Sequence, residues 1–201
     1  NHPDRASLDT SSLRLAVTGA APVPVSLVEQ MWNELGFETV VTAYGLTEVS
    51  GVATVCRHDD DAETISTTSG CAIRDVEVLI VDADGNEMPR GEAGEIVVRG
   101  YNVMRGFLDD PEQTAEAIDA DGWLHTGDIG TMDADGYVDI TDRMKDMFIV
   151  GGFNAYPAEI ERIMLDHPHI GGVSVIGIDD ARLGEAGMAF VIPKPGSAPD
   201  A

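Results

Sequence analysis

The sequence is short of positive charge. Its 201 residues carry 12 Lys and Arg against 36 Asp and Glu, a formal charge of −24 at pH 7, and such a surface repels nucleic acid and anionic lipid along most of its extent. Nucleic-acid binding is thereby disfavoured. An anionic ligand needs a local device: backbone amides, a divalent cation or one of the few arginines. Long apolar runs are also missing. No stretch approaches the roughly 18 residues that a membrane helix needs, so the chain reads as soluble with no integral membrane segment. The opening NHPDRASLDTSS lacks the basic-then-apolar order of a secretory signal and reads as the middle of something longer. Two cysteines, Cys56 and Cys71, match neither a disulfide framework nor the paired spacing of a zinc site. They read as small apolar residues in a reducing cytoplasm. No internal repeat is present.

What is there begins with an α/β pattern. The run LRLAV, residues 13–17, reads as a buried strand that stops at the Gly19-Ala20-Ala21-Pro22 turn. Leu27, Val28, Met31, Trp32 and Leu35 then recur on one helical face, with Pro24 near the start and Gly36 past the end. ETVVTAY returns as a strand, and strand-helix-strand order predicts a parallel βαβ unit. Residues 44–48 therefore fall just beyond the carboxyl end of a strand, where open α/β sheets bind ligands.

Residues 52–143 are β-rich. VEVLIVD and EIVVRG are separated by Asp84-Gly85 and Pro89-Arg90-Gly91 turn signals and followed by YVDIT, which predicts a small antiparallel barrel or sheet. One helix interrupts it, from Asp110 as N-cap and Pro111 at the first position to about Ile118. The cluster His58-Asp59-Asp60-Asp61 reads as a solvated acidic loop. From residue 144 a small α+β unit follows: DMFIVGG as strand and turn, a helix over Pro157–Leu165 with Ile160, Ile163 and Met164 inward, then VSVIGI and MAFVIP as strands. The predicted division is thus 1–143, made of the βαβ piece 1–51 and the β-rich 52–143, and a small domain 144–201.

Three constellations carry chemistry. In TAYGLTE, residues 42–48, Gly45 permits close approach of backbone to a ligand, Thr47 offers a hydroxyl to a phosphate oxygen, Glu48 can hold a hard cation and Tyr44 presents a stacking face. That set suits a magnesium nucleotide; an ordinary strand-to-loop turn explains the same residues. In GWLHTGD, residues 122–128, Asp128 could accept both hydroxyls of a ribose, or serve only the turn. His125 reads as a packed or surface histidine, having no paired nucleophile. In DRMKDMFIVGGFNAYPAEIE, residues 142–161, Asp142, Arg143, Lys145 and Asp146 put four charges between two strands, as a hinge or an exposed linker, and Gly151-Gly152 gives close backbone access.

VTGAAP, YGLTE, GWLHTGD and DRMKDMFIVGGFNAYPAEIE, in this order, resemble the later core motifs of the adenylate-forming superfamily of acyl-CoA synthetases, aryl-CoA ligases, firefly-luciferase-like enzymes and peptide-synthetase adenylation domains. The wording is most similar to bacterial fatty acyl-CoA ligases, and the resemblance runs over essentially the whole chain. It implies an acid-thiol ligase using ATP, Mg2+ and CoA on a carboxylic acid, a fatty acid by the wording, in the cytoplasm. It also implies roles. Gly19, Ala20 and Ala21 would line the adenine and acyl pocket, Tyr44 would stack on adenine beside Gly45, Thr47 would contact the α-phosphate and Glu48 would hold Mg2+. Asp128 would bind the ribose hydroxyls and Arg143 would approach the ribose. Lys145 would be the hinge, Gly151 and Gly152 would border the pantetheine channel, and Val49, Ser50 and Gly51 the acyl group.

Two family elements are not in these residues. No Ser/Thr/Gly-rich phosphate loop with its lysine occurs, and Lys194, in IPKPG, stands in the wrong context for the family's late lysine. The expectation is a C-terminal-side fragment with an incomplete small domain, inactive alone. An adenylation domain that loads an acyl carrier protein and a catalytically dead nucleotide-binding or interaction module are the rival readings.

Overall fold

A computed structural model describes residues 8–19, 23–180 and 182–197. The chain divides into two compact units, one of residues 1–126 with 131–139, the other of 127–130 with 140–201. In the first, β1 (Leu15–Thr18), α1 (Val25–Leu35) and β2 (Thr39–Tyr44) form the expected βαβ element, with β1 and β2 parallel from Leu15↔Thr39 to Thr18↔Thr42. Pro24 sets the entry to α1, and Gly36 ends it at φ 76°, a left-handed conformation that glycine adopts without a Cβ penalty. Val28, fully buried, packs with Val23, Val40, Val41, Cys56 and Ile65 in one apolar core. β3 (Thr54–Val55) and β4 (Cys71–Ala72) extend this sheet in the order β1-β2-β3-β4.

The acidic cluster is not simply a solvated loop. Asp61 accepts a hydrogen bond from the Thr64 N–H at 2.8 Å and caps a short helix, α2 (Ala62–Thr67), that propensity does not announce. Ile65, 1% exposed, ties that helix to the core. Asp60 accepts from the Tyr137 hydroxyl at 2.6 Å, and this bond, with burial, pushes the phenol far above its ordinary pKa.

The β-rich part is a sheet, β5 (Val76–Val81), β6 (Gly94–Gly100), β7 (Leu124–Met132) and β8 (Val138–Arg143), in that order. β5 and β6 pair antiparallel from Val76↔Gly100 to Val81↔Glu95, and Val76, Val78 and Ile80 alternate inward. The expected helix α3 (Pro111–Ala117) forms where Asp110 accepts from the Gln113 N–H at 2.9 Å. None of its residues is buried, so the cap carries much of its stability. Asp110→Ala should cost about 1 kcal/mol and Asp110→Ser much less, read by amide exchange over residues 111–118.

The second unit holds β9 (Phe148–Val150), β10 (Phe153–Ala155), α4 (Pro157–Leu165), β11 (Ile170–Asp180) and β12 (Gly184–Pro193), with sheet order β10-β9-β12-β11. Phe148, 3% exposed, fills a groove left by Gly177 and Gly187, which face each other across β11 and β12. A Cβ on Gly177 would fall 2.5 Å from the Phe148 Cβ, and one on Gly187 3.0 Å from its ring. Strand β10 was not anticipated: Gly151 and Gly152, at φ 59° and 92°, make the two-residue turn of a β9–β10 hairpin. Ile163, expected inward, is 66% exposed. With α4 flanked by β11 along one side, Pro157 is its one buried residue, and Ile160 and Met164 are half-buried.

Candidate functional site

In the first unit the candidate residues lie where β2 ends. The strand is pinned from inside by Thr42, whose hydroxyl donates to the Ile65 carbonyl at 2.8 Å. Tyr44, half-buried, is its last residue, and its carbonyl accepts from the Ala53 N–H at 2.8 Å. Chain reversal between these two points takes a single 3₁₀ turn, Thr47–Val49, followed by Ser50 at φ 57° and Gly51 at φ 95°. Gly45 lies within that loop so tightly that a Cβ would run into the Gly51 and Val52 backbone. The requirement for glycine there is one of space, since its φ is not positive. Thr47 is exposed, Glu48 half-buried and Val49 fully buried. Exposed Ser50 and Gly51 complete the loop. Thr47 and Glu48 thus stand side by side on a closely folded loop at the carboxyl end of a strand. Gly19, exposed, runs close to β2, where its Cβ would fall 2.5 Å from the Ala43 carbonyl oxygen. Ala20 and Ala21 lie outside the described residues.

Residues that composition alone does not single out hold this loop. The Asn102 side chain, 6% exposed as a residue, donates from Nδ2 to the Val52 carbonyl at 2.8 Å and to that of Val49 at 3.3 Å. The Met104 N–H donates to the Glu48 carbonyl at 2.7 Å. His125, in GWLHTGD, is an ion-pair partner: its Nδ1 lies 2.8 Å from Glu95 Oε2 and its Nε2 4.0 Å from Asp119 Oδ2.

In the second unit Asp128 and Arg143 come together. The Asp128 side chain is 13% exposed and its Oδ1 lies 3.5 Å from Arg143 Nε, while the Arg143 side chain is 62% exposed. Gly127 precedes Asp128 at φ 70°, where an added Cβ would meet nothing within 4 Å, and its carbonyl accepts from the Met144 N–H at 2.8 Å. A largely buried carboxylate with an exposed cation beside it can take hydroxyl donors without the full cost of an unpaired charge. Lys145 is exposed, as are Gly151 and Gly152, which form the hairpin turn described above. Asp142 is a different case from its charged neighbours. It is 7% exposed, and its carboxylate accepts from the Arg143 N–H at 2.6 Å and from the Ala158 N–H, at the start of α4, at 2.9 Å. Tyr156 gives that helix no side-chain cap, so Asp142 supplies the acceptor and the negative charge that its N-terminus favours.

The family profile described as AMP-binding enzyme matches residues 1–108, and that described as AMP-binding enzyme C-terminal domain matches residues 159–201. The chain belongs to the AMP-binding enzyme family. Members similar to it include a 3-[(3aS,4S,7aS)-7a-methyl-1,5-dioxo-octahydro-1H-inden-4-yl]propanoyl:CoA ligase of Rhodococcus jostii, 59% identical over 98% of this chain and 36% of that protein. A long-chain-fatty-acid–CoA ligase of Salmonella typhimurium is 42% identical over 96% of this chain and 34% of its own length. Among solved structures, the amide bond synthetase McbA of Marinactinospora thermotolerans superposes with a TM-score of 0.84 at 37% identity, covering all of this chain and 41% of that one. The chain therefore spans about a third of the length of the curated AMP-binding enzymes it matches. Its mixed α/β architecture is that of adenylate-forming enzymes. No helix among the described residues is long and apolar enough to cross a membrane.

Proposed function

We propose that this chain is the C-terminal-side part of an ATP-dependent carboxylate–CoA ligase. The whole protein would join an acid to AMP with release of pyrophosphate, then transfer the acyl group to the CoA thiol. The observation that carries this is 59% identity, sustained over 98% of the chain, to a ligase of that reaction type. The same observation favours a fused-ring propanoate as the acid over a long-chain fatty acid, whose ligase is 42% identical.

The same reading assigns a role to each candidate residue. Tyr44 offers its ring to adenine, with Gly19, Ala20 and Ala21 lining the adenine and acyl pocket through backbone, and Gly45 allows the loop to fold closely. Thr47 donates to the α-phosphate. Among the described residues no cluster of three His, Cys, Asp or Glu can hold a metal, so Glu48 fits Mg2+ only as one carboxylate beside substrate phosphates and water, which is how this ion is usually held. When bound, the ion would neutralise charge on the phosphates, a need made acute by a chain of charge −24. Asp128 accepts ribose hydroxyls and Arg143 approaches the same sugar. The division into 1–143 and 144–201, Lys145 as hinge, Val49, Ser50 and Gly51 at the acyl group, and Gly151 and Gly152 at the pantetheine channel belong to the same proposal. So does a cytoplasmic location, where Cys56 and Cys71 stay free thiols.

The test is thioester formation by the whole protein with ATP, Mg2+ and CoA, offering a fused-ring propanoate, palmitate and ferulate in parallel. The expected result is at least tenfold higher kcat/KM for the ring acid. Preference for palmitate would return the fatty acyl reading. Thioester only on a carrier protein would overturn CoA as acceptor, and nucleotide binding without turnover would make this a binding module.

A further inference from the structure

The 3₁₀ turn that carries Thr47 and Glu48 is only partly held by its own backbone. Val49 and Gly51 N–H groups donate to the Leu46 carbonyl at 3.1 and 3.0 Å, and the Ser50 N–H donates to that of Thr47 at 3.1 Å. The outward carbonyls of Glu48, Val49 and Val52 are taken up by a segment fifty residues on. The Met104 N–H serves Glu48, the Asn102 amide serves both Val49 and Val52, and the Ser50 hydroxyl returns a bond to the Asn102 carbonyl at 2.8 Å. Asn102 is therefore the one side chain in this set that reaches across both ends of the Ser50-Gly51 reversal.

Its own chemistry is unusual. The Asn102 Oδ1 is buried and has no hydrogen-bond partner, a state that buried polar atoms seldom adopt and that calls for an explanation. The explanation is orientation. Two carbonyl oxygens face the Nδ2 position, so turning the amide over would set oxygen against oxygen twice; satisfying them leaves Oδ1 toward Gly100, where an added Cβ would stand only 3.1 Å from it. An alanine would fit the space with less polar cost, and an aspartate would have the shape but no donor. Asparagine bears that cost where it bonds both ends of the turn.

We propose that Asn102 is a positioning residue for the adenylation step, fixing the Thr47–Val52 turn so that the hydroxyl and the carboxylate are already placed before a nucleotide arrives. This rests on the reading of that turn as the phosphate-facing part of the site. Asn102 is itself buried. Its effect passes through the Val49 and Val52 carbonyls to Thr47 and Glu48, and small displacements of positioning groups cost large factors in rate.

The test uses the whole protein with Asn102→Ala, Asn102→Asp and Asn102→Ser, and Tyr101→Ala as a neighbouring control, Tyr101 being 74% exposed. Two readouts are taken: ATP–pyrophosphate exchange, and amide hydrogen exchange over residues 46–52. For Asn102→Ala and Asn102→Asp the expected result is a kcat for exchange roughly 10- to 100-fold lower, with KM for the acid within about threefold. Amide exchange should quicken at least tenfold at 46–52 while the β5–β6 ladder is unchanged. Asn102→Ser, which keeps one donor, should recover part of both, and the control should match wild type. A kcat within twofold of wild type, or unaltered amide exchange at the turn, overturns the proposal. If one variant does not fold, the others carry both readouts. A wild-type protein with no adenylation activity would instead remove the functional reading, and amide exchange at the turn would still decide whether Asn102 holds it.

Discussion

Gly45→Ala is expected to cost the folded protein about 3 kcal/mol and to abolish measurable MgATP binding, an effect larger than that of any other single glycine in the loop. A Cβ at this position would stand 2.6 Å from both the Gly51 carbonyl carbon and the Val52 Cα. All the atoms it meets are backbone, so no flexible side chain can swing away. Overpacking of this kind costs roughly 1–3 kcal/mol where neighbours can yield and more where they cannot. Here the neighbour is the returning arm of the same loop, tied by the Ala53 N–H to the Tyr44 carbonyl and by Asn102 to Val49 and Val52. Relief therefore requires opening the loop, which moves Thr47 and Glu48. Gly51→Ala provides the comparison. Its added Cβ would meet nothing within 4 Å, but its φ is 95°, so the cost is conformational alone, about 1–2 kcal/mol. Urea unfolding of the whole protein and calorimetry with MgATP read both quantities. A Gly45→Ala protein as stable as Gly51→Ala would show that the loop is less tightly closed than described.

Much of this was open to sequence reasoning because the signals are local. Pro24, Gly36 and the spacing of Leu27, Val28, Met31 and Leu35 mark α1 without reference to anything outside it. Asp110 and Pro111 do the same for α3. Other features escaped it because they depend on a partner elsewhere in the fold, although the β9–β10 hairpin across Gly151-Gly152 is local and was also missed. Helix α2, Ala62–Thr67, is rich in Ser and Thr, which are weak helix formers; it exists because Asp61 caps it and Ile65 finds the core built by α1 and β2. Asp142 lies in a dense run of charge that reads as a hinge or an exposed linker, and its part as a cap at the start of α4, sixteen residues on, has no local signal. Asn102 carries no motif at all. Its partners lie at 49 and 52, and no periodicity or turn signal links positions fifty residues apart. The candidate ligand-binding side chains were legible because chemistry at an exposed loop is carried by residue type. The residues that hold those loops still were not, because holding is a property of three-dimensional neighbours.

The remaining large effect separates ligand chemistry from structure at Asp128. Its carboxylate is mostly withdrawn from solvent and has the Arg143 guanidinium Nε at 3.5 Å. If Asp128 accepts ribose hydroxyls, Asp128→Ala removes a charge-assisted acceptor worth about 1.5–3 kcal/mol, or roughly 10- to 150-fold in ATP affinity. Asp128→Asn, which keeps an acceptor oxygen but loses the charge, should lie between. A purely structural Asp128 would also weaken binding when removed, through disorder of the Gly127–Gly130 segment, so loss of affinity alone does not discriminate. The sugar does. With 2′,3′-dideoxy-ATP the wild type should already have lost the hydroxyl contacts, and Asp128→Ala should bind that analogue as well as the wild type does. The mutation and the sugar modification should therefore be non-additive, as groups in direct contact are. Arg143→Ala should bind ATP more weakly than wild type but still discriminate ATP from the dideoxy analogue, because its side chain is largely exposed and the acceptor remains. An Asp128→Ala penalty of equal size with both nucleotides would assign the carboxylate to pairing with Arg143 and remove it from the nucleotide site.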